Sequence, residues 1–160
     1  MTMKFIKIIP ICADSLGTRS MCLFVETPDI KILIDPNAIL SVRYKLPPHP
    51  IEYKTLKDCI DSIVNFSKKA DYLFISHYHY DHYDPEVAFF RESRVFAKDI
   101  TLNINASQRK RGSSFAELQG KSCNIVYADG QKFELGDTKL EFSEAQPHGP
   151  DGTRLGYVLM

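Results

Sequence analysis

Long apolar runs and an excess of charge of either sign are both missing from this 160-residue sequence. No apolar run approaches the roughly 18 residues that span a bilayer, which argues against a membrane protein. The 20 basic residues balance the 20 acidic ones, so there is no general attraction to nucleic acid or to anionic membranes. Repeats and low-complexity segments are also missing. We therefore expect a single soluble domain over residues 1–160, without a membrane partner and with nucleic acid disfavoured.

Closely spaced cysteine pairs are missing as well. The sequence has no C-x-x-C pair, and its four cysteines lie far apart, at Cys12, Cys22, Cys59 and Cys123. This spacing excludes a zinc-knuckle motif and argues against a disulfide framework in a chain of this length. The apolar stretch near the amino terminus is broken by Lys7 and does not resemble a signal peptide. We expect buried thiols in a protein of the reducing cytoplasm.

Short apolar segments bounded by turn residues predict many β-strands. The predicted strands cover residues 4–11, 21–26, 31–35, 72–75, 94–97, 124–128, 131–135, 138–143 and 155–160. Dipeptides typical of turns, Pro28-Asp29, Asp129-Gly130 and Gly136-Asp137, separate several of them. Strands joined by such turns and flanked by helices predict an α+β fold, in which a sheet carries helices on one face.

The first helix is predicted over residues 56–69, where apolar residues recur at helical spacing. Thr55 and Asp58 form a capping-box pattern at its start. The three prolines within residues 46–50 predict a loop before it. His49 in that loop is interpreted as a surface-turn histidine in preference to a residue at the mouth of an active site.

A second, shorter helix is predicted to start at Phe115, because Ser114 and Glu117 repeat the capping-box pattern. The basic run Arg109–Arg111 precedes it, beside a glycine. One basic triplet in a neutral chain is usually a solvated turn, and contact with phosphate is the alternative.

The chemistry of this chain is concentrated in residues 76–85, which read SHYHYDHYDP directly after a predicted strand. Neutral imidazole and carboxylate are good ligands for Zn²⁺, Fe²⁺ and Mn²⁺. Crowded histidines repel each other when protonated and need partners when neutral, and a metal ion resolves both problems. The alternative is a polar surface loop in which the histidines are incidental. The intervening tyrosines are expected to pack and to hydrogen-bond rather than to bind metal.

The spacing within this segment suits two ions. His77 and His79 lie two apart in an extended segment, so their side chains point the same way and can share one ion. Asp81 and His82 are adjacent, project differently and suit a second ion nearby. Two ions about 3.5–4 Å apart can hold a bridging water and lower its pKa towards about 7, which creates a nucleophile at neutral pH.

SHYHYDHYDP resembles the H-x-H-x-D-H signature of the metallo-β-lactamase superfamily. The segment 32–36, ILIDP, resembles that family's first motif, a strand that ends in an aspartate near the metals. The segment 147–159 resembles its third motif, a histidine in a loop before a strand. Together with DSLGTRSM and LPPHPIE, these segments are similar to an uncharacterised archaeal branch of that superfamily. The resemblance covers essentially the whole chain and implies a metallo-β-lactamase-like αβ/βα sandwich.

The resemblance also assigns roles to individual residues. His77, His79 and His148 would bind the first ion. Asp81, the candidate catalytic residue, and His82 would bind the second ion. The site would hold up to two divalent transition-metal ions, with zinc favoured and iron or manganese as alternatives. For His148, a plain loop histidine is the other interpretation.

Asp35 would be a carboxylate that orients a metal ligand. The alternative is a strand-end aspartate that starts the turn before Pro36, and the sequence leaves both open. Arg19, in the loop between the first two strands, either meets an anionic group of a substrate or is an ordinary surface arginine.

The superfamily pattern has two further motifs, a metal-bridging aspartate and another histidine, and no match to them follows His148. We therefore expect this sequence to be little more than the first half of the fold. Such a half would expose an apolar sheet face, and self-association or a missing carboxyl-terminal half is a candidate partner.

Three functions follow from these features. The first is a metal-dependent hydrolase that attacks an ester, lactone, thioester or phosphodiester bond of a small molecule. The second is a nuclease of the same superfamily, against which the neutral charge balance argues. The third is a catalytically incomplete half-domain with a binding or structural role. The substrate cannot be named, because specificity in one fold varies with its loops.

Overall fold

A six-stranded sheet in the order β1-β2-β3-β4-β5-β6 forms the centre of the fold. The computed structural model describes residues 5–14, 17–41, 45–149 and 156–160. The strands of the sheet are β1 (Lys7–Ala13), β2 (Met21–Glu26), β3 (Lys31–Ile34), β4 (Tyr72–Ile75), β5 (Arg94–Ala97) and β6 (Asn124–Tyr127). The strands β1 to β3 pair antiparallel, and β3 to β6 pair parallel.

Parallel neighbours need long crossover connections, and helices supply two of them. Helix α1 (Pro50–Ser67) connects β3 to β4, and helix α2 (Ala106–Gln119) connects β5 to β6. A short 3-10 helix, Ala88–Phe90, lies between β4 and β5. A hairpin of β7 (Lys132–Leu135) and β8 (Thr138–Glu141) follows, and then the short pair β9 (Gln146–Pro147) and β10 (Tyr157–Val158).

Alternation along the strands produces two apolar cores, one on each face of the sheet. On one face, Leu33 and Leu73 of the sheet belong to the same buried cluster as Ile63 of α1 and Phe115 of α2. On the other face, the sheet residues Ile32, Phe74 and Phe96 form a second buried cluster together with Phe142. The β7–β8 hairpin residues Phe133 and Leu140 pack against this cluster. The predicted α+β fold, with helices on one face of a sheet, is therefore confirmed.

Helix α1 begins six residues earlier than predicted. Its N-cap is His49, whose Nδ1 accepts a hydrogen bond from the Ile51 amide at 3.2 Å, while the His49 amide donates to Glu52 Oε2 at 2.6 Å. Pro50 fits the first helical turn because its missing N–H would have no partner there. The prediction of a loop through residue 50, and of capping by Thr55, is wrong. Thr55 instead donates its hydroxyl to the Ile51 carbonyl.

Helix α2 also begins earlier, at Ala106 rather than Phe115, with the Asn105 side chain accepting from the Gln108 amide as its cap. The basic run Arg109–Arg111 is therefore helical, and its interpretation as a turn is wrong. The buried face of this helix is formed by Gln108, Gly112, Phe115 and Gln119. Only one of these four side chains is large and apolar, so hydrophobic periodicity did not reveal the helix.

Most predicted strands lie where expected, and their ends differ by one to three residues. Strands β2, β4 and β5 have the predicted bounds, whereas the last strand comprises only Tyr157–Val158. Positions 4 and 155, where two predicted strands begin, lie outside the described residues. Gly136 adopts φ +67° in the β7–β8 turn, and a Cβ there would lie 2.8 Å from Asp29 Cγ, so the turn requires glycine.

The cysteines and helices bear on two further predictions. Cys12, Cys22 and Cys59 are buried, Cys123 is half-buried, and all four are free thiols. None of the helices formed by the described residues is long and apolar enough to cross a membrane.

Candidate metal centre

The candidate site lies where the parallel strands β3 and β4 end. Side chains that follow neighbouring parallel strands meet at one edge of a sheet, which is the usual place for ligands in such sheets. Asp35 follows β3, and Ser76 and His77 follow β4. The loop after β4 turns back through a hydrogen bond from the His82 amide to the His79 carbonyl at 2.9 Å, and Asn37 Nδ2 donates to the Tyr80 carbonyl at 2.6 Å.

Three of the predicted ligands are brought together. One ligand nitrogen from each of His77, His79 and His148 lies within 4.8 Å of the other two. The ring centroids of His77 are 4.6 Å from those of both His79 and His148. His77 is buried and the other two are half-buried, so the cluster has a closed side and an open side.

His148 reaches the cluster from a distant part of the chain. It follows β9, and its amide donates to the Gly156 carbonyl at 2.8 Å. Tyr157 of β10 is in turn hydrogen-bonded to the side chain of Gln108 on α2. The Gln108 amide group donates to the Tyr157 carbonyl and accepts from the Tyr157 amide. The fold therefore brings His148 to the other two histidines, as a metal ligand would require.

Asp81 and His82 form a second pair beside this cluster. Asp81 Oδ2 is 3.6 Å from His82 Nε2, and the His82 ring centroid is 4.0 Å from that of His77. Asp81 Oδ2 also accepts a hydrogen bond from Arg19 Nε at 2.8 Å. The predicted ligands of a second ion are thus adjacent to those of the first, and an arginine already balances the Asp81 carboxylate.

Asp35 is buried, and its contacts agree with both predicted roles, a residue of the turn after β3 and a carboxylate that orients a metal ligand. It adopts φ +48° at the end of β3, and its carbonyl accepts from the Asn37 amide, as in a tight turn. Its carboxylate also accepts from His82 Nδ1 at 2.9 Å and from the amide and hydroxyl of Ser76 at 2.8 and 2.7 Å. Asp35 therefore fixes the orientation of the His82 ring, with Nε2 facing Asp81.

Ser76 is a part of the site that sequence reasoning missed. Its hydroxyl donates to Asp35 and lies 3.0 Å from His77 Nδ1. With the hydroxyl proton on the Asp35 side, Ser76 accepts from His77 Nδ1–H and leaves the Nε2 lone pair of His77 towards the cluster. The position directly before the H-x-H pair was the available signal. Asn37 was also missed.

Burial keeps the three clustered imidazoles neutral. It lowers the pKa of His79 to about 4, and burial with the neighbouring imidazoles lowers the pKa of His77 well below its usual range. Burial also lowers the pKa of His148, with His82 as the next cause. His77 Nε2 and His79 Nδ1 are 3.1 Å apart. At this distance two neutral ring nitrogens can share a hydrogen bond or bind the same cation.

Asp81 and His82 differ from the three clustered imidazoles, because the pKa shift of each favours its charged form. Burial lowers the pKa of His82, but the hydrogen bond and charge of Asp35, with the charge of Asp81, outweigh it, so the pKa of His82 lies above its usual value. Burial raises the pKa of Asp81, but the charges of His82 and Arg19 and the hydrogen bonds outweigh it, so this carboxyl group has a lowered pKa. Asp81 is thus a carboxylate at neutral pH.

These residues fit a divalent transition-metal ion. Three neutral imidazoles with an open side are a donor set typical of catalytic zinc, where three protein ligands leave one position for water or substrate. The hydrogen bonds that the ring N–H groups of His77 and His82 donate to Ser76 and Asp35 are of the kind that orients metal-binding histidines.

This chain is similar to known proteins over most of its length. A family model described as a beta-lactamase superfamily domain matches residues 18–156. A protein from Methanopyrus kandleri, named a UPF0282 protein, is 42% identical over 168 residues, which cover 96% of this chain and 57% of that protein. UPF0282 proteins from Korarchaeum cryptofilum and Sulfurisphaera tokodaii are each 45% identical and cover 96% of this chain.

The chain spans about half the length of the curated relatives that it matches, since 52% of the Korarchaeum and Sulfurisphaera proteins is covered. Their shared name gives no substrate. The family model nevertheless covers most of the chain, including the whole H-x-H-x-D-H segment and His148. This chain belongs to the beta-lactamase superfamily.

Proposed function

We propose that this chain carries the metal-binding part of a metal-dependent hydrolase. The observation that supports the proposal is the convergence of His77, His79 and His148, whose ligand nitrogens lie within 4.8 Å of one another. Membership of the beta-lactamase superfamily agrees with it. The proposed substrate is a small molecule with an ester, lactone, thioester or phosphodiester bond, and the proposed location is the cytoplasm.

The three clustered histidines would hold the first ion, and Asp81 with His82 would contribute to a second. Zinc is the proposed metal, with iron and manganese as alternatives that the same donor set accepts. A bound divalent ion supplies Lewis-acid chemistry, because it lowers the pKa of a coordinated water and polarises the bond to be cleaved.

The residues of the chain contribute orientation and charge. Ser76 holds His77 so that Nε2 faces the open side of the cluster, and Asp35 holds His82 so that Nε2 faces Asp81. The Asp81 carboxylate, held by Arg19 and facing His82 Nε2, is the proposed catalytic residue. The burial of His77 keeps water away from one side, and substrate approaches from the side of His79 and His148.

Metal content tests this proposal directly. The chain would be loaded with zinc, dialysed and analysed by inductively coupled plasma mass spectrometry, alongside the double variant His77→Ala/His79→Ala. We expect the double variant to lose both the bound zinc and any hydrolysis of a panel of ester, lactone and phosphodiester substrates.

The matched control is His49→Asn, which changes a histidine outside the cluster and preserves a good N-cap for α1. It should bind zinc as the unchanged chain does. Stoichiometric zinc that survives the double substitution would contradict the proposal, and so would equal loss of zinc in the control.

A further inference from the structure

Two arginines from separate elements both contact the metal-binding segment. Arg19 lies before β2 and is held in place by paired backbone hydrogen bonds with Ile39, each 2.9 Å long. Its Nε donates to Asp81 Oδ2 at 2.8 Å. The Arg19 side chain remains 48% exposed, so it borders the site without being enclosed by the protein.

The second arginine comes from α2. Arg111 Nη1 donates to the Tyr78 carbonyl at 3.3 Å, and its guanidinium carbon lies 4.8 Å from the centre of the Tyr80 ring. Tyr78 and Tyr80 are the residues on either side of His79 in the sequence. Arg111 therefore contacts both sequence neighbours of His79, whereas Arg19 contacts Asp81.

In the part of the chain that the structure describes, neither guanidinium has all its donors occupied. An arginine has five N–H donors in a planar fork. Within the described ranges, the hydrogen bonds of Arg19 and Arg111 each use one nitrogen, Nε in Arg19 and Nη1 in Arg111. The remaining N–H groups match the paired oxygens of a phosphate or a carboxylate.

The charge balance at the site points to the same ligand chemistry. The guanidinium of Arg19 lies against Asp81 and that of Arg111 lies against the two residues that flank His79, so two positive charges border the histidine cluster. Of the acidic groups near them, Asp81 pairs with Arg19 and the buried Asp35 pairs with His82. The contacts of Arg111 in the described segments are a carbonyl and a ring, which carry no charge. A bound oxyanion would balance this local excess.

We propose that Arg19 and Arg111 form an oxyanion-binding pair that selects substrates with a phosphate or carboxylate group beside the bond to be cleaved. The role in substrate selection rests on the proposed function, but the binding of an anion by the two arginines does not need the metal.

The first experiment uses metal-free chain, so that an anion cannot bind through a metal ion. Inorganic phosphate and acetate are titrated separately by isothermal calorimetry into the unchanged chain and into the variants Arg19→Gln and Arg111→Gln. We expect at least one of the two anions to bind, and each substitution to weaken that binding roughly tenfold or more, because a charge-assisted hydrogen bond is lost. Which anion binds distinguishes a phosphate-bearing from a carboxylate-bearing substrate.

Arg109→Gln is the matched control, because Arg109 is an exposed arginine on the same helix whose recorded side-chain contact is with the Thr101 carbonyl. It should bind the anion as the unchanged chain does. Arg19→Lys, which keeps the charge but loses the fork, should bind with intermediate affinity and should preserve the pairing with Asp81. Thermal unfolding of each variant verifies that the fold is retained.

The outcomes separate this inference from the proposed function. Anion binding that depends on both arginines supports the pair even if the chain holds no zinc and hydrolyses nothing. If the chain binds zinc and is active but binds neither anion, or if Arg109→Gln weakens binding as much as the other two variants, the oxyanion-binding pair is refuted and the hydrolase proposal is unaffected.

Discussion

Asp35→Asn isolates the contribution of a single buried carboxylate to the site. Asn has nearly the same shape as Asp and tolerates the φ of +48° at this position, so the backbone is not strained by the change. The substitution removes the negative charge and replaces one acceptor oxygen with an NH₂ donor. Its effect therefore reports on the three hydrogen bonds that the Asp35 carboxylate accepts.

The magnitude follows from the partners. The hydrogen bond from His82 Nδ1, at 2.9 Å between residues that are both nearly fully buried, involves a charged group and contributes about 1.5–3 kcal/mol. Of the two bonds from Ser76, the amide can still donate to the remaining oxygen of Asn, whereas the hydroxyl must rotate, at a cost of about 1 kcal/mol. We expect a loss of about 3 kcal/mol in the free energy of unfolding. For a chain of this size that is a decrease in Tm of roughly 6–12 °C.

Circular dichroism during thermal and urea unfolding, in the presence of a chelator, measures this loss without interference from metal. Asp58→Asn is the control, because Asp58 forms an exposed ion pair with Lys54 and its neutralisation should cost less than about 0.5 kcal/mol. Zinc affinity should also fall by about 10- to 100-fold in Asp35→Asn, since residues that orient metal ligands have effects of that size. A variant within 1 kcal/mol of the unchanged chain would refute the network of Asp35, Ser76 and His82.

Two further predictions concern α2 and the loop after β5. Gly112→Ala should destabilise the chain by about 1–3 kcal/mol despite the better helix propensity of alanine, because the new Cβ would lie 2.7 Å from the fully buried Tyr78 ring. Ser113→Ala is its exposed control, and a stabilised Gly112→Ala variant in urea unfolding would contradict the packing. Burial raises the pKa of Asp99, but hydrogen bonds from Thr101 and Leu102 outweigh it, so the pKa is lowered. The carboxylate therefore stabilises the fold above the unfolded pKa, and this is lost as the pH falls through the folded pKa. The destabilisation of Asp99→Asn, at most about 1 kcal/mol at pH 6, should shrink below pH 4, and a difference that does not depend on pH would contradict it.

Local signals in the sequence were sufficient to predict a strand and its ends where a short apolar run is bounded by polar residues. Strands β4 and β5 have the predicted bounds for this reason, and the H-x-H segment after β4 lies at the sheet edge that parallel pairing requires. The convergence of His148 with His77 and His79 could not be derived from spacing, because it depends on the β9–β10 pair and on α2. The resemblance to a known superfamily supplied that part.

Helix α2 shows why other parts of the fold, such as the start of this helix, could not be predicted from the sequence. Gln108 and Gln119 are buried on its inner face because backbone groups elsewhere in the chain satisfy their amides, namely those of Tyr157 and Pro85. A polar side chain is buried only with such partners, and a sequence pattern does not show them. Missing the start of α2 also led to the interpretation of the basic run with Arg111 as a turn, whereas Arg111 lies on a helix that begins at Ala106.

The same arrangement would link the proposed metal binding to the stability of distant parts of the chain. His77 is positioned by Ser76 and Asp35 at the ends of two neighbouring strands, whereas His148 is positioned by a two-residue strand pair that rests on Gln108. In the unfolded chain these two histidines are far apart, so an ion that binds both of them binds the native state in preference and stabilises it. The stabilisation would fall most strongly on the β9–β10 pair, because each of its strands comprises only two residues and the ion would tie it to the end of β4. We therefore expect the proposed metal ion to stabilise this strand pair.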